Sequence, residues 1–293
     1  MPKGDRWEPV ISASIALAAP PGAPILLRGP LSKTIDMAAD IGFTGIELHF
    51  RTVEEVDWDL LDGKLRSRAL KLTSIGTGRI FTMDRLSISD EGSEGPDAAE
   101  GRLRSMIDKV ERYGSDIIIG SIRGKLSEDP IRRPVAYARL VSSLRRISRY
   151  AEEKGLRVVV ESINRFEADN INTTMDLLRL IEDVGSPNLL AHIDSYHMYT
   201  QGEDIIRSIR LAGDAIGHVH LADSERLAPG LGAIDFEGFV RALDDVGYKG
   251  ALAFEYAPSK TGSEAKEDPT YDEQLRFGLL GIKHVIRCIE SLD

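Results

Sequence analysis

Eight short apolar runs, each followed by a longer stretch of helical periodicity, constrain the fold of this chain more than any other feature. The runs cover residues 10–17, 45–49, 71–76, 116–121, 156–162, 189–194, 216–221 and 251–256. Several are apolar on both faces (DIIIGS, LRVVVES, ALAFEY), as suits parallel strands covered by helices. Between them, Ile131, Val135, Ala138, Val141, Leu144 and Ile147 are read as one apolar face of a helix that otherwise carries arginines. Ser32, Thr173, Thr174 and Asp235 stand where helix starts need a side-chain acceptor. Gly42, Gly114, Gly155, Gly185, Gly213 and Gly247 stand where helices end. The phrase helix, glycine, short loop, strand recurs in ADIGFTGIEL, AEEKGLRVVVE, EDVGSPNLLAHID and DDVGYKGALAFE. Eight such units favour closure into a barrel over an open doubly wound sheet. No GxGxxG follows the first run, which removes the usual support for a dinucleotide-binding sheet. The expected fold class is therefore α/β, a single (β/α)8 TIM barrel over residues 1–293.

Composition narrows the partners. A chain of 293 residues suits one α/β barrel of about 250 residues. It buries roughly three quarters of its unfolded surface without a disulfide or metal staple. Lys and Arg number 37 against 47 for Asp and Glu, a net charge of −10, so no nucleic-acid partner is expected. Cys288 has no second cysteine to pair with, which fits a reducing compartment. No apolar run approaches the ~18 residues of a membrane span, and the N-terminal stretch does not read as a signal peptide. A cytoplasmic protein with no membrane partner is the expectation.

One stretch breaks the alternation. Residues 79–100 (RIFTMDRLSISDEGSEGPDAAE) are polar, acidic and glycine-rich, and follow the third strand at the mouth of the barrel. They read either as a mobile lid or as a simple insertion. A shorter loop, residues 257–270, follows the eighth strand on the same face.

Barrels place their chemistry at the carboxyl ends of their strands. Strands five to eight end in Glu161, Asp194, His220 and Glu255, each closing an apolar run. A carboxylate inside a buried strand is costly unless paired or bound to a metal. Four unrelated polar residues, each satisfied on its own, would be the purely structural explanation, and four at one height make it the weaker one. Three carboxylates and one imidazole suit one divalent metal ion, Mn2+, Mg2+ or Co2+, better than sulfur-rich zinc chemistry. His197 follows Asp194 by three residues and faces the same region. His192 and His218 share faces with Asp194 and His220, sit deeper, and read as satisfied core histidines. Glu47 or His49 at the end of strand two lines the pocket or packs beneath it, and His284 reads as a surface residue.

The segments ESINRFE (161–167), HIDSYHM (192–198), HVHLADSERLAPGLGAIDF (218–236) and AFEY (253–256) resemble the xylose-isomerase-like TIM-barrel superfamily of sugar phosphate isomerases and epimerases. The resemblance is closest to the ketose 3-epimerase branch, typified by D-tagatose and D-psicose 3-epimerase, and includes the intervals of 33, 26 and 35 residues between the four acidic and imidazole positions. It implies that Glu161, Asp194, His220 and Glu255 bind the metal and that Glu161 and Glu255 are the catalytic acid and base. It also implies that Glu167, His197 and Arg226 contact substrate. Arg123, beyond strand four, has no counterpart in that pattern; it is expected to meet an anionic end of the substrate or a loop carboxylate. The implied partner is a small sugar or polyol, phosphorylated or not, and the implied assembly a homodimer or homotetramer.

The chemistry follows from the residue types. A 3-epimerase removes a proton alpha to a ketone and returns one to the opposite face, through an enediolate that a divalent metal stabilises. Two carboxylates flanking the sugar serve as base and acid. Inosose dehydratase, inosose isomerase and hydroxypyruvate isomerase use similar sites and are the enzymatic alternatives, although the last resembles a pattern with glutamine at the position of His220. Endonuclease IV shares the fold but needs histidines in the first half, and none occurs between His49 and His192. A sugar-binding barrel without turnover would have lost one of the two glutamates, and both are present.

Overall fold

The computed structural model describes residues 7–89 and 95–292. Its barrel strands are β1 (Ile11–Ala16), β2 (Gly45–His49), β3 (Lys71–Gly76), β4 (Asp116–Ile119), β5 (Val158–Glu161), β6 (Leu189–Asp194), β7 (Ile216–Leu221) and β8 (Leu252–Phe254). Each pairs in parallel with the next, and β1 pairs with β8 through Ile11 opposite Leu252 and Ala13 opposite Phe254, which closes the cylinder. The (β/α)8 barrel read from the alternation is the fold. A two-residue ribbon, Leu27–Arg28, adds to the C-terminal end of β1 at the mouth.

Four strands keep the bounds read from the sequence, and four are shorter, β4 at the mouth end only and β1, β5 and β8 at both ends. Beyond β4 the chain winds at once into a turn over Ser121–Arg123. Glu255 stands one residue past β8. Register shifts break the ladder between Ile46 and Glu47 on the β2–β3 edge and between Ala191 and His192 on the β6–β7 edge. The extra residue lies on the partner strand each time, Thr73 in β3 and Gly217 in β7, and such irregularities bend the strand that carries them.

The helix after β4 runs Arg133–Glu153 and buries Ala136, Leu140, Leu144, Ile147 and Ala151. This differs from the face read in the sequence: Ile131 precedes the helix and is 82% exposed, and Val135 is 55% exposed. Successive three-residue steps drift back by about 60° each at 3.6 residues per turn, so Val135 and Ile147 lie a third of a turn apart. Four-residue steps from Ala136 hold the face toward the barrel instead. Ser32 also departs from expectation. It lies inside helix Leu31–Ile41, which begins after Pro30 with no side-chain cap. Thr173 and Asp235 do cap, accepting from the backbone N–H of Asp176 and Gly238.

The stretch read as a lid or insertion begins in helix Gly78–Asp84 and ends in helix Gly95–Val110. Its centre, residues 90–94, lies outside the described residues. Among the described residues no helix is long and apolar enough to cross a membrane.

The corrected helix face has a direct consequence. Leu144→Ala removes a fully buried side chain and should cost about 2–5 kcal/mol, whereas Ile131→Ala should stay within about 0.5 kcal/mol. Urea denaturation of the two variants measures the difference, and a greater loss at Ile131 would restore the other face.

Candidate functional site

The inward faces of the strands are polar at the mouth. Glu161 ends β5, Asp194 ends β6, His220 lies one residue before the end of β7, and Glu255 follows β8. The structure brings one donor atom of each within 4.8 Å of all the others. His220 Nδ1 stands 3.4 Å from Glu255 Oε2, 3.7 Å from Asp194 Oδ2 and 3.8 Å from Glu161 Oε1. Three of these four atoms, Glu161 Oε1, Asp194 Oδ2 and His220 Nδ1, are buried without a hydrogen-bond partner.

That pattern fits a divalent ion. Buried polar atoms are normally hydrogen-bonded, and ones that converge at ligand spacing could share a cation. The donor set, three carboxylates and an imidazole, suits the hard, oxygen-preferring metals. Two of the four candidate ligands have their second atom held by the protein. Asp194 Oδ1 accepts from the backbone N–H of Tyr196 and His197, capping helix Ser195–Gln201. His220 Nε2 meets both oxygens of Glu47, at 3.0 and 3.1 Å. Gly120 leaves room for Glu161, since a Cβ there would stand 2.6 Å from its Oε2.

Glu47 is the centre of a second layer below the mouth. Fully buried, it also meets His49 Nε2 at 2.7 Å and His218 Nε2 at 2.9 Å, and accepts from the Ser74 hydroxyl at 2.6 Å. Burial alone would raise its carboxyl, but His220 and the surrounding donors hold it well below the ordinary range. Of the two candidates at the end of β2, His49 lines the cavity and Glu47 supports it from beneath.

His218 meets the expectation of a satisfied core histidine at Nε2 only, through Glu47; its buried Nδ1 has no hydrogen-bond partner. His192 does not meet it. It is completely buried, with neither ring nitrogen hydrogen-bonded, and packs edge-on against His220 with ring centroids 4.1 Å apart. Burial and the neighbouring His220 hold it well below the ordinary histidine value, hence neutral.

Glu167, His197 and Arg226 line the same cavity of about 450 Å3. Arg226 donates to Glu255 Oε2 at 2.8 Å and to His197 Nε2 at 2.6 Å, with its guanidinium 4.5 Å over the Tyr196 ring. Asn164 links the other two: its amide donates to Glu167 Oε1 at 2.9 Å and stands 2.8 Å from His197 Nδ1. Burial, then Arg226, pushes His197 down to about 4, so its ring is neutral at pH 7. Burial and the adjacent Glu255 push Glu161 up, while His220 and Arg226 pull Glu255 down against its own burial. Without a bound ion the two glutamates thus have opposite proton preferences.

Arg123 does not belong to the cavity. It is 1% exposed, and its guanidinium donates to Asn170 Oδ1 at 2.9 Å and to the carbonyls of Glu161, Gly120 and Asn170 at 2.8, 3.2 and 3.1 Å. No carboxylate among the described residues pairs with it. Instead, it ties the turn after β4 to the end of β5, behind Glu161. Sequence reasoning also missed Asn164, Tyr196 and Asp223, although each lies within a segment already singled out. Asp223 accepts from the N–H groups of Ser224, Gly230, Gly232 and Ile234 and so shapes the loop carrying Arg226.

The chain has relatives among known proteins. An L-ribulose 3-epimerase from Methylomonas sp. (strain DH-1) is 29% identical over 229 residues, covering 76% of this chain and 77% of that protein. A ketose 3-epimerase from Arthrobacter globiformis is 30% identical over 225 residues, covering 72% and 77%. A crystallised D-psicose 3-epimerase with D-tagatose, from Clostridium cellulolyticum H10, shares the fold with a TM-score of 0.79 at 20% identity, covering 94% of this chain and 99% of that one. The xylose isomerase-like TIM barrel family matches residues 35–278, from the first helix to the last, and the chain belongs to that family.

Proposed function

We propose that the protein is a divalent-metal-dependent ketose 3-epimerase. The observation that carries this reading is the convergence of Glu161 and Glu255 on one four-donor cluster inside a sugar-sized cavity. The relatives named 3-epimerases support it. Glu161, Asp194, His220 and Glu255 hold the ion. A bound Mn2+, Mg2+ or Co2+ supplies a Lewis acid that polarises the ketone and offsets charge on the enediolate. One glutamate takes the proton from C3 and the other returns one to the opposite face. Arg226, clamped between Glu255 and His197, presents its remaining donors to substrate oxygen atoms. Glu167, held by Asn164, accepts from a substrate hydroxyl.

The test is solvent deuterium uptake at C3 of candidate ketoses. Glu161→Gln and Glu255→Gln, each loaded with excess Mn2+, should lose at least about 100-fold in exchange, because glutamine keeps an oxygen donor but cannot carry the proton. A fully metallated variant that epimerises within a few-fold of the parent would leave that glutamate as a ligand only.

The layer beneath makes a separate prediction. Glu47 fixes the proton of His220 on Nε2, leaving Nδ1 free to face the ion. Glu47→Gln leaves all four ligands in place and should weaken Mn2+ affinity about 10–100-fold, the usual effect of disturbing a ligand's supporting partner. Titration calorimetry on the apoprotein measures it, and unchanged affinity would show that His220 orients itself.

A further inference from the structure

The cavity holds two arginines, and only one is paired. Arg226 sits on Glu255. Arg79, in helix Gly78–Asp84 after β3, makes no salt bridge among the described residues. Its NH1 has only a long 3.4 Å contact to the His49 carbonyl, its NH2 lies 3.4 Å from Met83 Sδ, and its Nε is buried without a partner. Carboxylates lie close by in sequence and in space, yet others hold them. Asp84 pairs with Arg51 at 3.0 Å and Arg102 at 3.2 Å, and Glu55 pairs with Arg51 at 2.7 Å.

Position gives this unpaired cation a meaning. The four-donor cluster occupies the β5–β8 side of the mouth, while Arg79 rises from the end of β3, on the opposite arc of an eight-stranded cylinder. Met83 packs against it, and Ala19, Pro20 and Pro24 are among the residues that line the same cavity. Half-buried Arg79 loses hydration, and burial lowers its pKa despite the more distant pull of Glu55 and Asp84, which pair with Arg51 instead. A ligand anion restores the balance, and a guanidinium binds carboxylate or phosphate through two parallel hydrogen bonds.

Resting on the epimerase reading of the same cavity, we propose that Arg79 receives an anionic group at the end of the substrate remote from the reacting ketone. The preferred substrates are then keto sugars bearing a terminal phosphate or carboxylate rather than free ketoses. Arg79 acts here as a specificity residue; it takes no part in proton transfer.

Two measurements test this on the metallated full-length chain. In the first, kcat/KM is compared for a free ketohexose, its 6-phosphate and the matching keto sugar acid. A charge-assisted pair exceeds a lost hydrogen bond to water by roughly 10–100-fold, so one anionic substrate should exceed the neutral one by that factor, mostly through KM. Arg79→Met should collapse the anionic-to-neutral ratio, and Arg79→Lys should restore part of it, keeping the charge but not the paired donors. A phosphate preference and a carboxylate preference both support the proposal and say which anion is taken. A ratio near one in the parent, or one unmoved by Arg79→Met, overturns it. In the second measurement, calorimetry with glucitol, glucitol 6-phosphate and gluconate reads binding without turnover. Anion binding that depends on Arg79 in a protein that exchanges no ketose would sustain this inference while removing the epimerase reading. Equal binding of all three probes would remove the inference itself.

Discussion

The carboxylate of Glu47 is the constraint on which the mouth of this barrel depends. One completely buried side chain takes contacts from three imidazoles and a hydroxyl, each at 3.1 Å or less. An ionised carboxylate in the middle of a closed sheet is tolerated only when its lone pairs are filled in this way. The arrangement also works in the other direction. Each imidazole that points a nitrogen at Glu47 has its ring plane fixed, and His220 is thereby obliged to direct Nδ1 at Glu161, Asp194 and Glu255. The orientation of the upper cluster is thus set one layer below it, by a residue on β2, five strands before the β7 of His220 in chain order.

A similar division of labour runs through the other acidic groups. Asp194 gives one oxygen to a helix start and leaves the other facing the site, so a helix cap and a candidate ligand are the same carboxylate. Arg123 and Arg226 show the converse, two almost wholly buried arginines with opposite assignments. Arg123 faces carbonyl oxygens on every side and is a clamp behind the sheet. Arg226 faces a carboxylate and an imidazole of the cavity itself. Burial alone does not separate these roles; the character of the acceptors does.

Much of this was legible in the sequence because strand periodicity and strand ends are local properties. The barrel, most strand positions and the convergence of Glu161, Asp194, His220 and Glu255 need only the rule that parallel barrels gather their strand termini at one end. What was not legible depends on pairs far apart in the chain. Glu47 and His218 are separated by 171 positions and meet only because β2 and β7 face each other across the cylinder. Arg123 stands where a substrate arginine would stand in a linear reading, and the tight turn at Ser121–Arg123 swings it behind β5 instead. Arg79 was hidden in a stretch whose acidity and glycines suggested a loop, although its first residues form a helix. The helix face at 133–153 failed for a simpler reason, a run of three-residue steps taken as one stripe.

The loop after β7 shows how far the protein goes to place a single guanidinium. Glu225 and Arg226 both adopt left-handed backbone conformations, with φ of 62° and 55°, which cost of order 1–3 kcal/mol each for residues with side chains. Strain of that size persists only where surrounding bonds leave the backbone no alternative. Asp223 supplies them, accepting from four backbone N–H groups between Ser224 and Ile234. Gly262 closes the same knot from the other side, because a Cβ there would collide with the Glu225 carbonyl. The loop following β8 is thus packed against the loop following β7, and the arginine that one of them carries bonds the glutamate that opens the other. Relaxing either loop would move Arg226 relative to Glu255, so the strain fixes the distance between the guanidinium and the cluster.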